Sequence, residues 1–264
     1  MIYCKVQKKE VPLIIPFGGG VNSTAMVLGA LEREIEIDLI LFADTGGEKP
    51  ETYQWIEDFS QWLKIFTGKL EIKRTQAVNR EGKPITLEDY SLKAKQLPSL
   101  AYGFKSCSQK HKVAPCDKYI RKHIKCEEGT KPVRFVGYDL DEEHRFKSAK
   151  VEYSTHVCQF PLIEWGLDRQ GCIDLIERKG FVPPVKSACF FCPASKKHEI
   201  EWLADNHPDL FERACEMEDN AELTSVKGLG RNYSWSEYIK FKKQQPSLLD
   251  HFTDTVLEPC ECVD

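Results

Sequence analysis

The chain has 264 residues, of which 41% are hydrophobic and 30% are charged, as expected for an ordinary globular fold with one sizeable core or one core plus a smaller appendage. Its net charge of −4 excludes a general attraction to nucleic acid or membrane, so such a partner would need a local patch. No apolar run approaches the roughly 20 residues of a membrane span, and the apolar run after Lys9 is too short for a signal peptide. We therefore expect a cytoplasmic protein with no membrane partner.

The apolar pattern predicts alternating strands and helices. Val11–Phe17 and Ile37–Ala43 are typical of buried parallel strands, and Ser23–Arg33 between them fits a helix. Further along the chain, the pattern predicts a helix at Pro50–Phe66, strands at Leu70–Arg74 and Val133–Gly137, and a helix at Gly171–Gly180. This order predicts an α/β fold with a doubly wound, mostly parallel five-stranded sheet.

Two domains are expected, an α/β domain over residues 1–182 and a cysteine-rich helical region over 183–264. Residues 75–106 hold glycines, prolines and scattered aromatic residues, and they predict a long irregular excursion from the sheet.

A glycine-rich loop follows the first predicted strand and opens the first helix. Three glycines allow backbone N–H groups to turn toward a ligand, and the next polar side chains add hydrogen-bonding groups. The interpretation is a phosphate-binding loop, and the alternative is a plain turn between a core strand and a core helix. The loop consists of Gly18, Gly19, Gly20, Val21, Asn22, Ser23 and Thr24.

Two more polar segments begin where predicted strands end. Asp44, in the segment 42–53, could accept from a ribose hydroxyl or an adenine amino group or help to hold Mg²⁺, or it could cap the next helix. Arg145, in the segment 136–145, could clamp a phosphate or sulfate, or it could belong to a solvated loop of mixed charge. A basic strip at 105–125 that includes Lys110 could contact a nucleic-acid backbone or nucleotide phosphates, or it could be a solvated helix face.

Eleven cysteines are unusual for a chain of this length. Their odd number and the expected compartment favour metal ligation or redox chemistry over a disulfide framework. Cys189 and Cys192 form a CxxC knuckle followed by proline, a common geometry for holding zinc or one side of an iron–sulfur cluster. Five other cysteines stand singly among apolar or helical residues and are expected to be small core side chains: Cys4, Cys126, Cys158, Cys172 and Cys215.

These segments together resemble the phosphoadenylyl-sulfate (PAPS) reductase-like branch of the PP-loop ATP pyrophosphatases. The glycine loop resembles SGGxDS, the ADTG and PETY sequences of 43–53 resemble DTGxxxPETY, and 136–145 resembles G[IY]RxDExxxR. The segment 107–115 resembles the CCxxRKxxPL sequence of cluster-binding reductases. The chain departs from these patterns at Gly18, Asn22, Ser108 and Asp139, and it lacks the cysteine of the ECGLH motif.

The resemblance implies an adenine nucleotide alpha hydrolase-like fold and a nucleotide site. Besides the seven loop residues, it implies nucleotide contacts from Asp44, Thr45, Gly46, Gly137, Glu142 and Arg145. The residues expected to act in catalysis are Asn22, Ser23, Asp44, Lys110 and Arg145. The implied cofactors are ATP (or PAPS or adenylyl sulfate), Mg²⁺ and a [4Fe-4S] cluster, with zinc as the alternative to the cluster.

Three of the implied metal ligands are Cys107, Cys189 and Cys192. The fourth stays open between Cys116, which we include in the predicted set, and several alternatives. Those alternatives are Cys260, Cys262, a histidine such as His198, and an external sulfur atom.

The implied function is an enzyme that splits ATP into AMP and pyrophosphate, adenylates a nucleic acid or small molecule, and transfers sulfur to it. The sulfur donor would be a cysteine desulfurase, a thioredoxin-like protein or free sulfide. The alternative is a sulfonucleotide reductase that releases sulfite, which the missing ECGLH cysteine opposes. A third hypothesis is a non-catalytic module that binds nucleotide and cluster.

Overall fold

The computed structural model describes residues 1–98 and 106–244. They form two compact units, each built from separated stretches of chain. The first contains Met1–Ala43, Pro50–Thr75 and Pro115–Ser187, and the second contains Asp44–Lys49, Gln76–Ala114 and the described residues from Ala188 onward. The second unit thus takes segments from both sides of the expected boundary after residue 182, and the division into domains 1–182 and 183–264 stays a prediction.

The first unit is built on a five-stranded sheet. Its strand order is β5-β4-β3-β6-β7, and β3 pairs in parallel with both β4 and β6, as β6 does with β7. A separate two-stranded antiparallel hairpin, β1–β2, precedes it. The strands are β1 Ile2–Cys4, β2 Lys9–Val11, β3 Leu13–Pro16, β4 Leu39–Asp44, β5 Ile72–Gln76, β6 Val133–Phe135 and β7 Val157–Gln159.

Helices cover both faces of this sheet. Successive residues of β3 enter different apolar clusters, since Leu13 and Ile15 pack with helices α1, α2 and α8 whereas Ile14 packs with Ile120 of α5. Because side chains alternate across a strand, a strand buried on both faces has no polar positions, which explains the continuous apolar runs. The helices are α1 Val21–Glu32, α2 Pro50–Thr67, α5 Ala114–His123, α6 Glu143–Ser148, α7 Pro161–Glu164 and α8 Arg169–Arg178.

The doubly wound parallel sheet is therefore confirmed. The predicted helix at Pro50–Phe66 is also confirmed, and its buried residues Thr52, Ile56, Phe59 and Leu63 follow helical spacing. The hairpin β1–β2 was not predicted. Three of the five cysteines expected in the core are buried, namely Cys4, Cys158 and Cys172, while Cys126 and Cys215 are half-buried.

The second unit is mainly helical and has its own apolar core. Phe190 and Phe191 of the cysteine knuckle pack there with Trp235 and with residues of the surrounding helices. The helix α3 lies within the stretch that was expected to be irregular, and Thr86 caps it by accepting from the backbone N–H of Asp89. The helices are α3 Leu87–Ala94, α4 Ser106–Ser108, α9 Lys197–Asn206, α10 Pro208–Asn220 and α11 Trp235–Gln244, with a π-helix at Gln109–Val113.

Within residues 1–98 and 106–244, no helix has both the length and the apolar character that crossing a bilayer requires.

Candidate functional site: the glycine loop and its neighbours

The glycine loop lies between β3 and α1 and is enclosed by the start of α2. Gly19 has a φ of +76°, in the left-handed region that favours glycine. A Cβ atom at Gly19 would lie 3.0 Å from Cγ2 of Thr52 and 3.2 Å from Cδ1 of Ile56, so α2 packs directly against the loop backbone. The backbone N–H groups of Gly18, Gly19 and Gly20 have no hydrogen-bond acceptor in the part of the chain that the structure describes. Three adjacent donors are thus available to an anion.

The side chains after the glycines have different roles. Val21 is buried in the core, so only its backbone can face a ligand. The Ser23 hydroxyl donates to the carbonyl of Gly20 at 3.0 Å from a half-buried position. Thr24 is fully buried, donates to the same carbonyl at 3.0 Å and accepts from Nε1 of Trp55 at 3.3 Å. The Thr24 side chain therefore joins α1 to α2, and Ser23 is the hydroxyl nearer to solvent.

Asn22 connects the glycine loop to the segment after β6. Its Nδ2 atom donates to the carbonyl oxygen of Gly137 and to Oδ2 of Asp139, both at 2.9 Å, and lies 3.5 Å from Oε2 of Glu142. Its Oδ1 atom accepts from Nη1 of Arg169 at 3.0 Å. The amide is thus oriented by acceptors on one side and a donor on the other.

Asn22 lies among two acidic side chains, Asp139 and Glu142, and two basic ones, Arg145 and Arg169. Arg145 pairs with Glu142, and its guanidinium lies 4.3 Å from the ring centroid of Tyr138. Asp139 is 3% exposed, and its Oδ1 atom has no hydrogen-bond partner within the described chain. The predicted phosphate clamp Arg145 is therefore already paired with a carboxylate, whereas Arg169 contacts a neutral amide.

The position of this group in the sheet is typical of a ligand site. The chain runs from β3 to β4 on one side of β3, and β6 later pairs with β3 on the other side, so the strand order reverses between β3 and β6. In open α/β sheets, ligands bind outside the carboxyl ends of the strands at this reversal. The glycine loop follows β3 and Gly137 follows β6, and these are the segments that Asn22 joins.

The predicted residues Asp44, Thr45 and Gly46 lie in the second unit. Oδ1 of Asp44 accepts from the backbone N–H of Gly46 at 2.8 Å. Thr45 is 1% exposed, and its hydroxyl lies 3.1 Å from Sγ of Cys189. A Cβ atom at Gly46 would lie 2.4 Å from Cγ2 of Thr86, which explains the small residue there. These contacts hold the segment against the cysteine knuckle, and its role in nucleotide binding stays a prediction.

Three of the four predicted metal ligands also lie in the second unit. Cys107 and Cys189 pack against the same apolar core, and the backbone N–H of Cys192 donates to the carbonyl of Cys189 at 3.0 Å, which closes the knuckle. Burial, followed by the nearby carboxylate of Glu48, raises the pKa of the Cys189 thiol. Cys116 belongs to the first unit, where it packs beside Ile120.

The donor set suits a soft metal, but the described residues do not bring a complete set of ligands together. Thiolates are ligands for zinc and for iron–sulfur clusters. In the described residues, however, no group of three or more His, Cys, Asp or Glu side chains could hold a metal ion. We therefore derive no chemical step through a cluster. Two of the alternative fourth ligands, Cys260 and Cys262, and the first residue of the basic strip, Lys105, lie outside the described residues.

Lys110 lies in the second unit and is exposed. Its Nζ atom donates to the Tyr90 hydroxyl at 2.9 Å. The neighbouring His111 is 2% exposed and packs edge-on against the Tyr90 ring. Burial, followed by the charge of Lys110, lowers the pKa of His111. A catalytic role for Lys110 stays a prediction.

Two residues near the glycine loop were missed by the sequence analysis. Arg169 begins α8, and Ser187 ends the segment that leads to the knuckle. A signal for Arg169 exists in the sequence, because a cation in the first turn of a helix is opposed by the helix dipole and is therefore an unusual choice. Ser187 carries no comparable signal, since its contact with the loop is purely tertiary.

Comparison with known proteins finds distant similarity. No family model matches the chain. The uncharacterized proteins MJ0066 and MJ0973 of Methanocaldococcus jannaschii are 24% and 22% identical over 223 and 260 residues. These matches cover 78% and 94% of this chain but 41% and 58% of the two relatives, so the chain spans about half of their length. Myosin-14 of Mus musculus is 31% identical over 96 residues, which is 33% of this chain and 5% of that protein.

Among solved structures, the U34-tRNA thiolase NcsA from Methanococcus maripaludis with its [4Fe-4S] cluster is similar to this chain with a TM-score of 0.41 and 13% identity. The match covers 99% of this chain and 82% of that one. Similarity at this level carries no argument about activity or cofactor. The site must therefore be interpreted from its own geometry.

Proposed function

We propose that the chain is a PP-loop-type enzyme that binds ATP and transfers its adenylyl group to a substrate with release of pyrophosphate. A sulfur nucleophile then displaces AMP from the adenylated substrate. The observation that carries the proposal is the convergence on Asn22 of the glycine loop and the segment after β6, at the reversal of strand order. This is the position at which open α/β sheets bind nucleotides.

The loop would stabilise the leaving group. Splitting ATP to AMP develops negative charge on pyrophosphate, and preorganised donors lower the barrier when they point to where that charge develops. The N–H groups of Gly18, Gly19 and Gly20 are such donors, whereas the Ser23 hydroxyl already donates to the Gly20 carbonyl and would have to rotate to join them. Mg²⁺ is proposed to accompany ATP, where it would neutralise phosphate charge.

The substitution of Asn22 for the acid of the PP-loop pattern is compatible with this proposal. An acid at position 22 would face the carboxylates of Asp139 and Glu142, whereas an amide donates to them. Asp139 stands where the family pattern has arginine, so the two departures form one matched donor–acceptor pair. They need not signal a loss of nucleotide binding.

The sulfur-transfer part of the proposal depends on the cysteines of the second unit. Cys107 and Cys189 share one apolar core, and Cys192 completes the knuckle with Cys189. A cysteine reacts as the thiolate, which burial disfavours at Cys189, so Cys107 and Cys192 are the proposed sulfur carriers. A nucleic acid and a small molecule both remain acceptors within the proposal.

The products of the reaction test the proposal. Purified protein is incubated with ATP, Mg²⁺, total cellular RNA as acceptor and sulfide as sulfur donor, and separately with PAPS and with adenylyl sulfate, and AMP, ADP, pyrophosphate and sulfite are quantified. We expect AMP and pyrophosphate in equal amounts, with a strong decrease in the Asn22→Ala variant and none in the Asn79→Ala control. Sulfite release without pyrophosphate would instead indicate a sulfonucleotide reductase. ATP binding without any product would indicate a non-catalytic module.

A further inference from the structure

We propose that Arg169 and Ser187, both outside the glycine loop, complete the phosphate site that this loop begins. In this site the loop supplies backbone donors, Arg169 supplies positive charge and Ser187 supplies a hydroxyl. The ligand class is the polyphosphate of a nucleotide. The inference rests on the proposed nucleotide binding and adds the residues that recognise the phosphates.

Arg169 has unused capacity to bind an anion. Its Nη1 atom donates to the neutral amide oxygen of Asn22, and it makes no ion pair within residues 1–98 and 106–244. Its Nε atom is buried without a hydrogen-bond acceptor in that same part of the chain. A guanidinium has five N–H donors in a planar fork that matches phosphate oxygens. The residue therefore brings a positive charge next to the loop and retains donors for a ligand.

The position of Arg169 in its helix supports the same conclusion. It is the first residue of α8, where the helix dipole opposes a positive charge. Asp168 caps the helix by accepting from the backbone N–H of Gly171 at 2.7 Å, and Asp141 accepts from the backbone N–H of Arg169 at 3.1 Å. Both carboxylates bond to backbone groups, so neither accounts for the placement of the guanidinium beside Asn22. A bound anion would account for this placement, because it would give the guanidinium a charged partner.

Arg145 is less suited to this role than the sequence implied. Its charge is paired with Glu142, and it is stacked over the ring of Tyr138. Recruiting it to a phosphate would break or share that ion pair. Arg169 can bind an anion without losing a carboxylate partner.

Ser187 places its hydroxyl over the loop. A Cβ atom at Gly20 would lie 2.9 Å from Oγ of Ser187, and one at Gly18 would lie 3.9 Å from it. The hydroxyl therefore lies beside the loop, close to the space that a side chain at these positions would enter. The PP-loop pattern has serine at the position of Gly18, so Ser187 would supply from a distant part of the chain the hydroxyl that the loop itself lacks.

Calorimetric binding of ATP, adenosine and inorganic pyrophosphate tests the proposal. The variants are Arg169→Gln and Ser187→Ala, and the matched control is Arg178→Gln, on the same helix, whose guanidinium pairs with Glu32 at 3.2 Å. Loss of a charged hydrogen bond should weaken ATP binding by about tenfold or more in Arg169→Gln, and loss of a neutral one by about two- to tenfold in Ser187→Ala. Adenosine affinity should not change in either variant.

The outcomes separate this inference from the proposed function. If wild type binds ATP and Arg169→Gln binds it as tightly as Arg178→Gln does, the inference is wrong. It is equally wrong if Arg169→Gln loses adenosine affinity to the same degree as ATP affinity, because the residue would then only support the fold. If wild type binds pyrophosphate but not ATP, nucleotide binding is rejected, and the variants still test the phosphate site on pyrophosphate. If wild type binds neither ligand, both proposals fail.

Discussion

Replacing Asn22 by aspartate tests how this site differs from the PP-loop pattern. The change would make the loop more like SGGxDS, so the resemblance alone would predict that stability is unchanged or improved. The structure predicts the opposite. Nδ2 of Asn22 donates to Asp139 at 2.9 Å and lies 3.5 Å from Glu142, so the new carboxylate would face two others.

The expected cost follows from this geometry. Two unit charges 2.9 Å apart repel by about 6 kcal/mol at an effective dielectric constant of about 20. The introduced carboxyl would avoid part of this repulsion by retaining its proton, which costs about 4 kcal/mol at pH 7 for a group with a usual pKa near 3.9. The cost of retaining the proton is therefore the upper limit on the loss of stability. The positive charge of Arg169 reduces this loss further. We expect a loss of about 2–4 kcal/mol in the free energy of unfolding at pH 7.

The pH dependence gives a more specific signature. The pKa of the introduced carboxyl would be raised in the folded protein, so the unfolded chain loses its proton first as pH rises. The loss of stability should therefore be at most about 1.5 kcal/mol at pH 5 and grow by up to about 1.4 kcal/mol per pH unit until the folded pKa is passed. Urea denaturation of wild type and variant between pH 5 and pH 8 measures this difference.

Two further variants make the experiment decisive. Asn79→Asp is the matched control, because Oδ1 of Asn79 accepts from the backbone N–H groups of Glu81 and Lys83 and a carboxylate retains both bonds. We expect it to change stability by less than about 0.5 kcal/mol. Combining Asn22→Asp with Asp139→Asn should restore most of the lost stability by reversing donor and acceptor. The reasoning is refuted if Asn22→Asp alone is as stable as the control at pH 7.

Three other predictions concern the loop, the acid stability and the cysteines. Gly19→Ala should reduce the free energy of unfolding by about 1–3 kcal/mol more than Gly68→Ala does, as measured by urea denaturation. Both glycines have positive φ, but a Cβ atom would contact Thr52 at Gly19 and would have no atom within 4 Å at Gly68. Burial, followed by the charge of Arg134, lowers the pKa of His156 to about 4. The unfolded chain therefore takes up this proton first on acidification, and stability decreases from about pH 6.5 toward pH 4, so His156→Gln should reduce that decrease in thermal melts. The predicted ligand set implies iron or zinc in protein purified without oxygen, and elemental analysis should find the metal content reduced by serine at Cys107, Cys189 or Cys192.

Each of these predictions has a contradicting result. Equal costs at Gly19 and Gly68 would mean that α2 does not pack tightly against the loop. An unchanged acid profile in His156→Gln would mean that this histidine titrates normally in the folded protein. A metal-free wild type, or an unchanged metal content in the serine variants, would contradict the predicted ligand assignment.

The sequence by itself determined four of the five strands of the sheet, the glycine loop and the order of the polar segments that follow the strands, but not β7. Apolar runs and helical spacing are local properties, so they predicted the principal strands, the helix at Pro50–Phe66 and a glycine loop after a strand. The hairpin β1–β2 escaped prediction because its three-residue strands are too short to show a period. The helix α3 escaped because the flanking glycines and prolines dominate its stretch of sequence.

Tertiary structure alone decided which side chains surround the loop. The partners of Asn22 lie 115 to 147 residues away in the chain, and no local pattern specifies such pairings. The parallel pairing of β3 and β6 brings Asp139, which follows β6, to Asn22, which follows β3. The packing of α8 on α1 brings Arg169 to the same place. The sequence thus indicated a phosphate-binding loop, and the fold decided that Arg145 is paired while Arg169 contacts the loop.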